Sequence, residues 1–338
     1  MKTGFLERQG FVRVKEFETP SIGRGEVLIK VVVAGICGSD VHAYHGTHPF
    51  RRAPMILGHE VAGEVVSIGS QVKKIKVGDR VTVEPQKNCG TCSYCRNGEY
   101  NLCKTKIMAG VGGWLGTFAE YFVAPEQRVY TLPSSISYDI GVLAEPLAVG
   151  VHAARIGNVQ EHEKAIVLGT GPIGILSAVA MQSMGVENVF CTDINDFRLK
   201  TANSLGIKTI NVEKESIETK IYPYAPDGFD IAIVSVTSTA VINQALQLVR
   251  RGGRVIIVSV FTSDIPLNMG AIQANEIEIK GSNVYTSEDF NQSLRILTDR
   301  AQDLEHIVTH HMKLNEINEA MQELNSSKNQ ALKIIINL

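Results

Sequence analysis

The stretch from Lys164 to Asp193 restricts the architecture more than any other. Lys164-Ala165-Ile166-Val167-Leu168 reads as a short buried strand, and Gly169-Thr170-Gly171-Pro172-Ile173-Gly174 as a glycine-rich turn. An apolar helical run continues to about Met184, and a second strand, Val189-Phe190-Cys191-Thr192, ends at Asp193. This is G-x-G-x-x-G in a strand–turn–helix–strand setting, with an acid nineteen residues after Gly174. Gly169, Gly171 and Gly174 let the backbone approach a pyrophosphate at the N-terminus of the helix that Pro172 and Ile173 open. Asp193 is placed to accept hydrogen bonds from the adenosine ribose and to repel a 2′-phosphate, so NAD is the expected cofactor. Further candidate strands at Thr209–Val212, Asp230–Val234, Arg254–Val258 and Ile277–Lys280 bring the number to six, as a doubly wound sheet requires. Cys191 reads as an inert core thiol.

At 338 residues the chain exceeds one ordinary core, so a second domain is expected. Its signature is the cysteines. Of six, four fall between Cys89 and Cys103 as C-x2-C-x2-C-x7-C, at Cys89, Cys92, Cys95 and Cys103. With no apolar leader after Met1, such a cluster reads as metal rather than disulfide. Four thiolates on a short loop with Gly90 and Gly98 suit a closed tetrahedral zinc site, which leaves no position for a substrate. That zinc is expected to hold a lobe at 88–104 and to do no chemistry.

A second donor set is spread more widely. Cys37 lies in Gly35-Ile36-Cys37-Gly38-Ser39-Asp40-Val41-His42, and Gly58-His59-Glu60 follows. One sulfur, one nitrogen and one oxygen make a three-ligand zinc site with an open fourth position. A Cys or a His-Glu pair alone is more commonly a core thiol or a surface pair; the rest of the chain raises these above that baseline. Ser39 and His42 are spaced to pass on a proton, the plain alternative being a helix-cap hydroxyl and an exposed histidine. Glu145, ahead of Pro146 at the start of a helix, could approach the metal or serve as an acid favoured by the helix dipole. In the loop His48-Pro49-Phe50-Arg51-Arg52, the arginines could bind an anionic group or be solvated loop charges. Trp114 could line a pocket or be a packing residue.

The remaining segments describe a β-rich frame. Glu26–Val33 is β-branched without a helical period, Val61–Ile68 and Arg80–Val83 follow as strands, and Phe118–Val123 is another. After Gly281 the alternating pattern stops; Leu314, Ile317, Met321 and Leu324 mark one helix face, and Leu332–Leu338 a final strand. The net charge of −2 and the absence of a basic block argue against nucleic acid. No apolar run nears the roughly 20 residues of a membrane span. Neither membrane nor nucleic acid is an expected partner, and the cytosol is the expected location.

Taken together, Gly-Ile-Cys-Gly-Ser-Asp-Val-His, Gly-His-Glu, the four-cysteine lobe, Gly-Asp-Arg-Val, Glu-Pro-Leu-Ala-Val-Gly-Val-His-Ala and Gly-Thr-Gly-Pro-Ile-Gly occur in one order. The chain thereby resembles, over essentially its whole length, the zinc-dependent medium-chain dehydrogenase/reductase family, in its polyol (sorbitol), threonine and sugar-acid branch. The resemblance implies an α/β protein: a GroES-like β-rich catalytic domain over 1–147, completed by 282–338, and a doubly wound Rossmann domain over 148–281. It implies two zinc ions per chain. One is catalytic, on Cys37, His59 and Glu60 with Glu145 close by; the other is structural, on Cys89, Cys92, Cys95 and Cys103. It assigns Ser39 and His42 to a proton relay, Asp193 and Arg198 to the adenosine ribose, and Val258, Ser259, Val260, Ser282, Asn283 and Val284 to the nicotinamide. It further implies a homodimer or homotetramer and a small-molecule alcohol substrate. Sorbitol dehydrogenases carry a tyrosine directly after the relay histidine and an Arg-Tyr pair near 284. Here Ala43 follows His42, Tyr44 comes one position late and Val284-Tyr285 stands for the pair, which points away from sorbitol itself. The expected activity is NAD-dependent oxidation of a secondary alcohol in a polyol, sugar acid or small hydroxy compound. The alternatives are a threonine-type dehydrogenase and a non-enzymatic NAD-binding redox sensor.

Overall fold

A computed structural model of the protein describes residues 1–325 and 330–338. The chain forms two compact units, Met1–Glu145 with Leu297–Leu338, and Pro146–Ile296.

The first unit is built round the strand Glu26–Gly35. Its alternation sends Val27, Ile29, Val31 and Val33 into the core, where they are buried. Strand Glu60–Ile68 pairs with it antiparallel along one edge, with Gly35 opposite Glu60. On the other edge it pairs first with Tyr121–Pro125 and then with Lys333–Asn337, with Gly35 opposite Ile335. The final strand also carries Val308–Lys313 alongside it in parallel. Three neighbouring strands therefore meet at one end of the sheet. The first leads into Cys37, the second starts at Glu60, and the third starts at Lys333. The helix Ile317–Asn325 turns Ile317, Ala320 and Met321 into the same core as Leu6, Phe118 and Phe122.

The second unit is a six-stranded parallel sheet. Its strands lie in the order Lys208–Asn211, Asn188–Asp193, Lys164–Leu168, Phe229–Val234, Val249–Ile257, Glu278–Gly281. Every pairing is parallel, and this is the doubly wound order. The four later strands read from the sequence all appear, shifted at their ends by one residue or, at Val249, five.

Two features differ from the sequence reading. Strand Val308–Lys313 was not expected, because Thr309, His310 and His311 break the apolar pattern of a buried strand; its side chains are half-buried or exposed. The return to the first unit falls at Leu297 rather than near 282, because the helix Ser287–Asp299 is tied, as far as Ile296, into the second unit. Asp289, fully buried, accepts from His152 Nδ1 (2.8 Å), Arg155 Nε (2.6 Å), and the Thr286 amide (2.8 Å) and hydroxyl (2.9 Å). Burial alone would raise its pKa, but Arg155, His152 and the Thr286 amide outweigh that and hold the carboxyl well below the usual range.

A carboxylate whose folded pKa is depressed adds stability above its unfolded pKa and loses it as the pH falls through the folded one. Asp289→Asn is expected to cost about 3 kcal/mol at pH 7. The gap from wild type should close as the pH drops below about 4, read from urea unfolding midpoints across pH.

Candidate metal centre and dinucleotide cradle

The donors of Cys37, His59 and Glu60 lie within 4.8 Å of one another. Ligands 2.0–2.3 Å from one ion lie at most about 4 Å apart, so small side-chain movements admit a zinc. Cys37 caps the helix Gly38–Tyr44, and Asp40, at the third position of that helix, reaches back so that its Oδ2 accepts the Cys37 amide at 3.1 Å. Asp40 Oδ1 accepts the Gly58 amide at 3.2 Å and faces His59 Nδ1 at 3.4 Å. One carboxylate thus fixes both ligand-bearing segments and occupies Nδ1, leaving His59 Nε2 for the metal. Burial pushes Asp40 towards neutrality, yet His59, Arg51 and the Cys37 amide hold it ionised, at about 2. For His59 burial favours the neutral ring, and Asp40 overrides this and lifts it well above its ordinary value. Gly58, at φ +94, adopts a backbone unfavourable to other residues, and a Cβ there would meet Thr117 Oγ1 at 2.5 Å.

Glu60 is fully buried and has its own counter-ion. Lys333 Nζ lies 2.7 Å from each carboxylate oxygen and 3.0 Å from the Ile36 carbonyl. Both side chains are almost wholly inaccessible. Burial would lower the Lys333 ammonium, but Glu60 and then Cys37 raise it. Each carboxylate oxygen keeps a further lone pair, so Glu60 remains able to ligate. Glu145 is buried and its charge acts on Lys333, but it lies outside the three-donor group.

Ser39 and His42 sit three residues apart on one helix, on a common side. Ser39 Oγ accepts from Arg51 Nη1 at 3.3 Å, and the exposed His42 has its Nδ1 3.0 Å from Thr47 Oγ1. Trp114 packs into the core of the first unit and also lines two clefts at its surface. Its ring stacks on Phe122 at 5.5 Å, its Nε1 donates to the Val123 carbonyl, and Lys87 lies over its face.

The sulfurs of the cysteine lobe are spaced as a metal would need them. Four sulfurs 2.3 Å from one zinc are about 3.8 Å apart in a tetrahedron. Here Cys89–Cys95 is 3.8 Å, Cys92–Cys95 3.4 Å and Cys103–Cys89 3.6 Å. Amides of Thr91 and Cys92 draw the Cys89 thiol down to about 5. Cys92, although favoured as thiolate by the Cys95 amide, is pushed up to about 11 by burial and the neighbouring sulfurs. Four adjacent thiolates need a cation to coexist.

In the second unit the fingerprint forms a cradle. The helix Pro172–Ser183 begins after Gly171 with no side chain capping it, and a Cβ at Gly171 would meet nothing within 4 Å. At Gly174 a Cβ would lie 1.9 Å from the Gly169 carbonyl, which only glycine avoids. Space and unpaired amides are therefore present where a pyrophosphate binds. Asp193 Oδ1 accepts the amides of Ile194 (2.8 Å) and Asn195 (2.9 Å), and Oδ2 accepts that of Thr170 (2.8 Å). One lone pair on Oδ2 remains, with Arg198 Nη1 3.9 Å away. The hydroxyls of Ser259 and Ser282 are buried without a partner among the described residues, and Ser282 donates its amide to the Ile257 carbonyl. Val284 has φ +57, a costly conformation for a β-branched residue. Orphaned hydroxyls and a strained backbone in the stretch assigned to the nicotinamide fit a site shaped for a ligand.

Sequence reading missed Asp40, Lys333 and the burial of Arg51. Asp40 carried a signal, its capping spacing after Cys37. Lys333 did too: a lone lysine amid Leu332, Ile334, Ile335 and Ile336 requires a buried partner.

The family profile "Alcohol dehydrogenase GroES-like domain" matches residues 23–134, and "Zinc-binding dehydrogenase" matches 172–299. A sorbitol dehydrogenase of Bacillus subtilis is 34% identical over 99% of this chain and 97% of its own. An L-threonine 3-dehydrogenase of Vibrio parahaemolyticus is 33% identical over 95% and 94%. A crystal structure of an Escherichia coli oxidoreductase/dehydrogenase of unknown specificity superposes with a TM-score of 0.94 at 32% identity, over 99% and 98% of the two chains. The chain belongs to the zinc-dependent medium-chain dehydrogenase/reductase family, with its GroES-like and Rossmann domains.

Lys333→Met leaves Glu60 buried without its cation. In metal-free protein it is expected to cost about 3–5 kcal/mol, measured by urea unfolding in chelator, and added zinc should restore part of that loss.

Proposed function

We propose that the protein is a zinc-containing, NAD-dependent dehydrogenase. Its substrate on this reading is a secondary alcohol in a polyol, sugar acid or small hydroxy compound. The observation that carries this reading is the convergence of Cys37, His59 and Glu60 into one donor set backed by Asp40, in a chain that also holds a dinucleotide cradle. Cys37, His59 and Glu60 would hold the catalytic zinc, and Cys89, Cys92, Cys95 and Cys103 a second, structural one. The zinc supplies Lewis acidity that makes an alcohol proton easier to lose, and the nicotinamide supplies the hydride acceptor.

The chain's own groups do the rest. Asp40 keeps the ligand segments fixed, so the donors need not reorganise during turnover. Ser39 Oγ would take the alcohol's proton as it gives up its own, which would reach the exposed His42 ring by way of the nicotinamide ribose and from there solvent. Gly171 and the helix it precedes hold the pyrophosphate; Asp193 accepts from the ribose through the free lone pair of Oδ2 and disfavours a 2′-phosphate. Sorbitol is not the favoured substrate: Tyr44 is buried against His45 in the core of the first unit, away from the role the sorbitol enzymes give a tyrosine there.

The test is NADH formation across polyols, hexonates, diols and threonine, with NADP in parallel and zinc counted per chain. Two zincs and a clear hit support the enzyme; a chain with only the cysteine lobe filled, binding NAD but silent on every substrate, supports a redox sensor. Cys37→Ser is expected to abolish turnover and leave NAD binding within about twofold, the latter read by titration of nucleotide fluorescence. Asp193→Ala is expected to raise the NADP-to-NAD ratio of kcat/KM by about tenfold or more, measured under the same conditions.

A further inference from the structure

Arg51 was open to reading as a solvated loop charge, and the structure buries it, with 4% of its surface exposed. The loop turns it inward. His48 Nδ1 accepts the amides of Phe50 (3.3 Å) and Arg51 (3.1 Å), and burial followed by the Arg51 charge keeps that ring neutral, at about 4. Arg51 Nη1 then lies 3.2 Å from Asp40 Oδ1, 3.2 Å from His59 Nδ1 and 3.3 Å from Ser39 Oγ. Its Nε is buried and has no hydrogen-bond partner among the described residues. A buried guanidinium with an unmet donor is costly to keep, and the charge it keeps bears on the buried Asp40.

The geometry sets up a competition. With His59 Nε2 turned to the metal, Nδ1 carries the ring hydrogen and Asp40 Oδ1 is its acceptor. The same oxygen accepts from Arg51 and from the Gly58 amide. A carboxylate that bears fully on a ligand histidine strengthens it as a donor; a cation on the same oxygen draws that charge away.

We propose that Arg51 is a positioning residue that holds part of the Asp40 charge away from His59, keeping His59 a weaker donor and the metal centre correspondingly electron-poor. This rests on the zinc alcohol dehydrogenase reading and extends it to a residue outside the ligand motifs. It makes an unusual demand. Removing the charge should strengthen metal retention while it slows alcohol oxidation, whereas loss of a merely structural prop would weaken both.

The experiment follows zinc release into a chromogenic chelator, with Cys37→Ser identifying the phase that belongs to this centre, alongside turnover on the best substrate of the panel. Arg51→Met is expected to release that zinc about three- to tenfold more slowly and to turn over about tenfold more slowly, at or below the low end of the roughly 10–100-fold that groups behind metal ligands command. The visible absorption of the cobalt-substituted protein should shift, reporting the changed donor strength without reference to activity. Arg51→Gln keeps a donor for Asp40 and removes the charge, so it should follow Met even if the Met variant folds poorly. Arg51→Lys keeps the charge and should stay within about threefold of wild type in both measures. Faster zinc release in the neutral variants, unchanged rates and spectrum, or a Lys variant that behaves like Met would each overturn the inference while leaving the enzymatic reading in place. A wild-type chain that takes up only the cysteine-lobe zinc overturns both.

Discussion

The Asp40 carboxylate gathers four donors from four places in the first unit: the Cys37 amide, the Gly58 amide, the His59 ring and the Arg51 guanidinium. The strands bring Cys37 and His59 to the same end of the sheet, but strand ends alone leave side chains free to turn. A single ionised group that bears on all four converts proximity into a fixed arrangement. It does so inside a water-poor core, where such bonds are strong if complete and expensive if not. The stability of this corner and its capacity to hold a metal are therefore the same property.

Elsewhere, too, buried charge in this molecule comes in closed pairs. Glu60 has Lys333, Asp289 has Arg155 and His152, and Glu84 has Arg128 at 2.6 Å with the hydroxyls of Tyr100 and Tyr130. Each joins segments far apart in the chain. Such pairs add modestly to net stability, but breaking one is costly, so they act as registers for the fold. The Glu84 cluster anchors the base of the cysteine lobe through Tyr100, just as Asp289 anchors the helix that closes the second unit.

Much of this was legible in the sequence, for a physical reason. The dinucleotide fingerprint and the cysteine lobe are local: their ligands or glycines lie within a few turns of one another, so spacing alone states the geometry. Cys37 and His59-Glu60 are farther apart, yet flanking glycines mark them. Lys333, Arg51 and the strand Val308–Lys313 were not legible in the same way. Lys333 acquires its meaning from a residue 273 positions earlier, and Arg51 from a turn made by His48. The half-exposed strand owes its existence to the edge that Lys333–Asn337 offers it. The second unit's extent was misjudged for a similar reason, since the tie between Asp289 and Arg155 spans 134 positions and no local pattern announces it.

The span between Glu60 and Lys333 also sets an order of events during biosynthesis. At about 5–20 residues per second, a ribosome takes roughly 15–55 s to add the 273 residues that separate them. Through that interval the nascent chain carries a carboxylate whose cation has not been made, and the second half of Glu26–Gly35 lacks the neighbour that will cover its edge. The whole intervening sheet, whose pairings are internal to it, can fold in the meantime. The first unit to be started is thus the last to be finished, and an exposed strand edge with an uncompensated acid at its end is what a chaperone would meet while it waits.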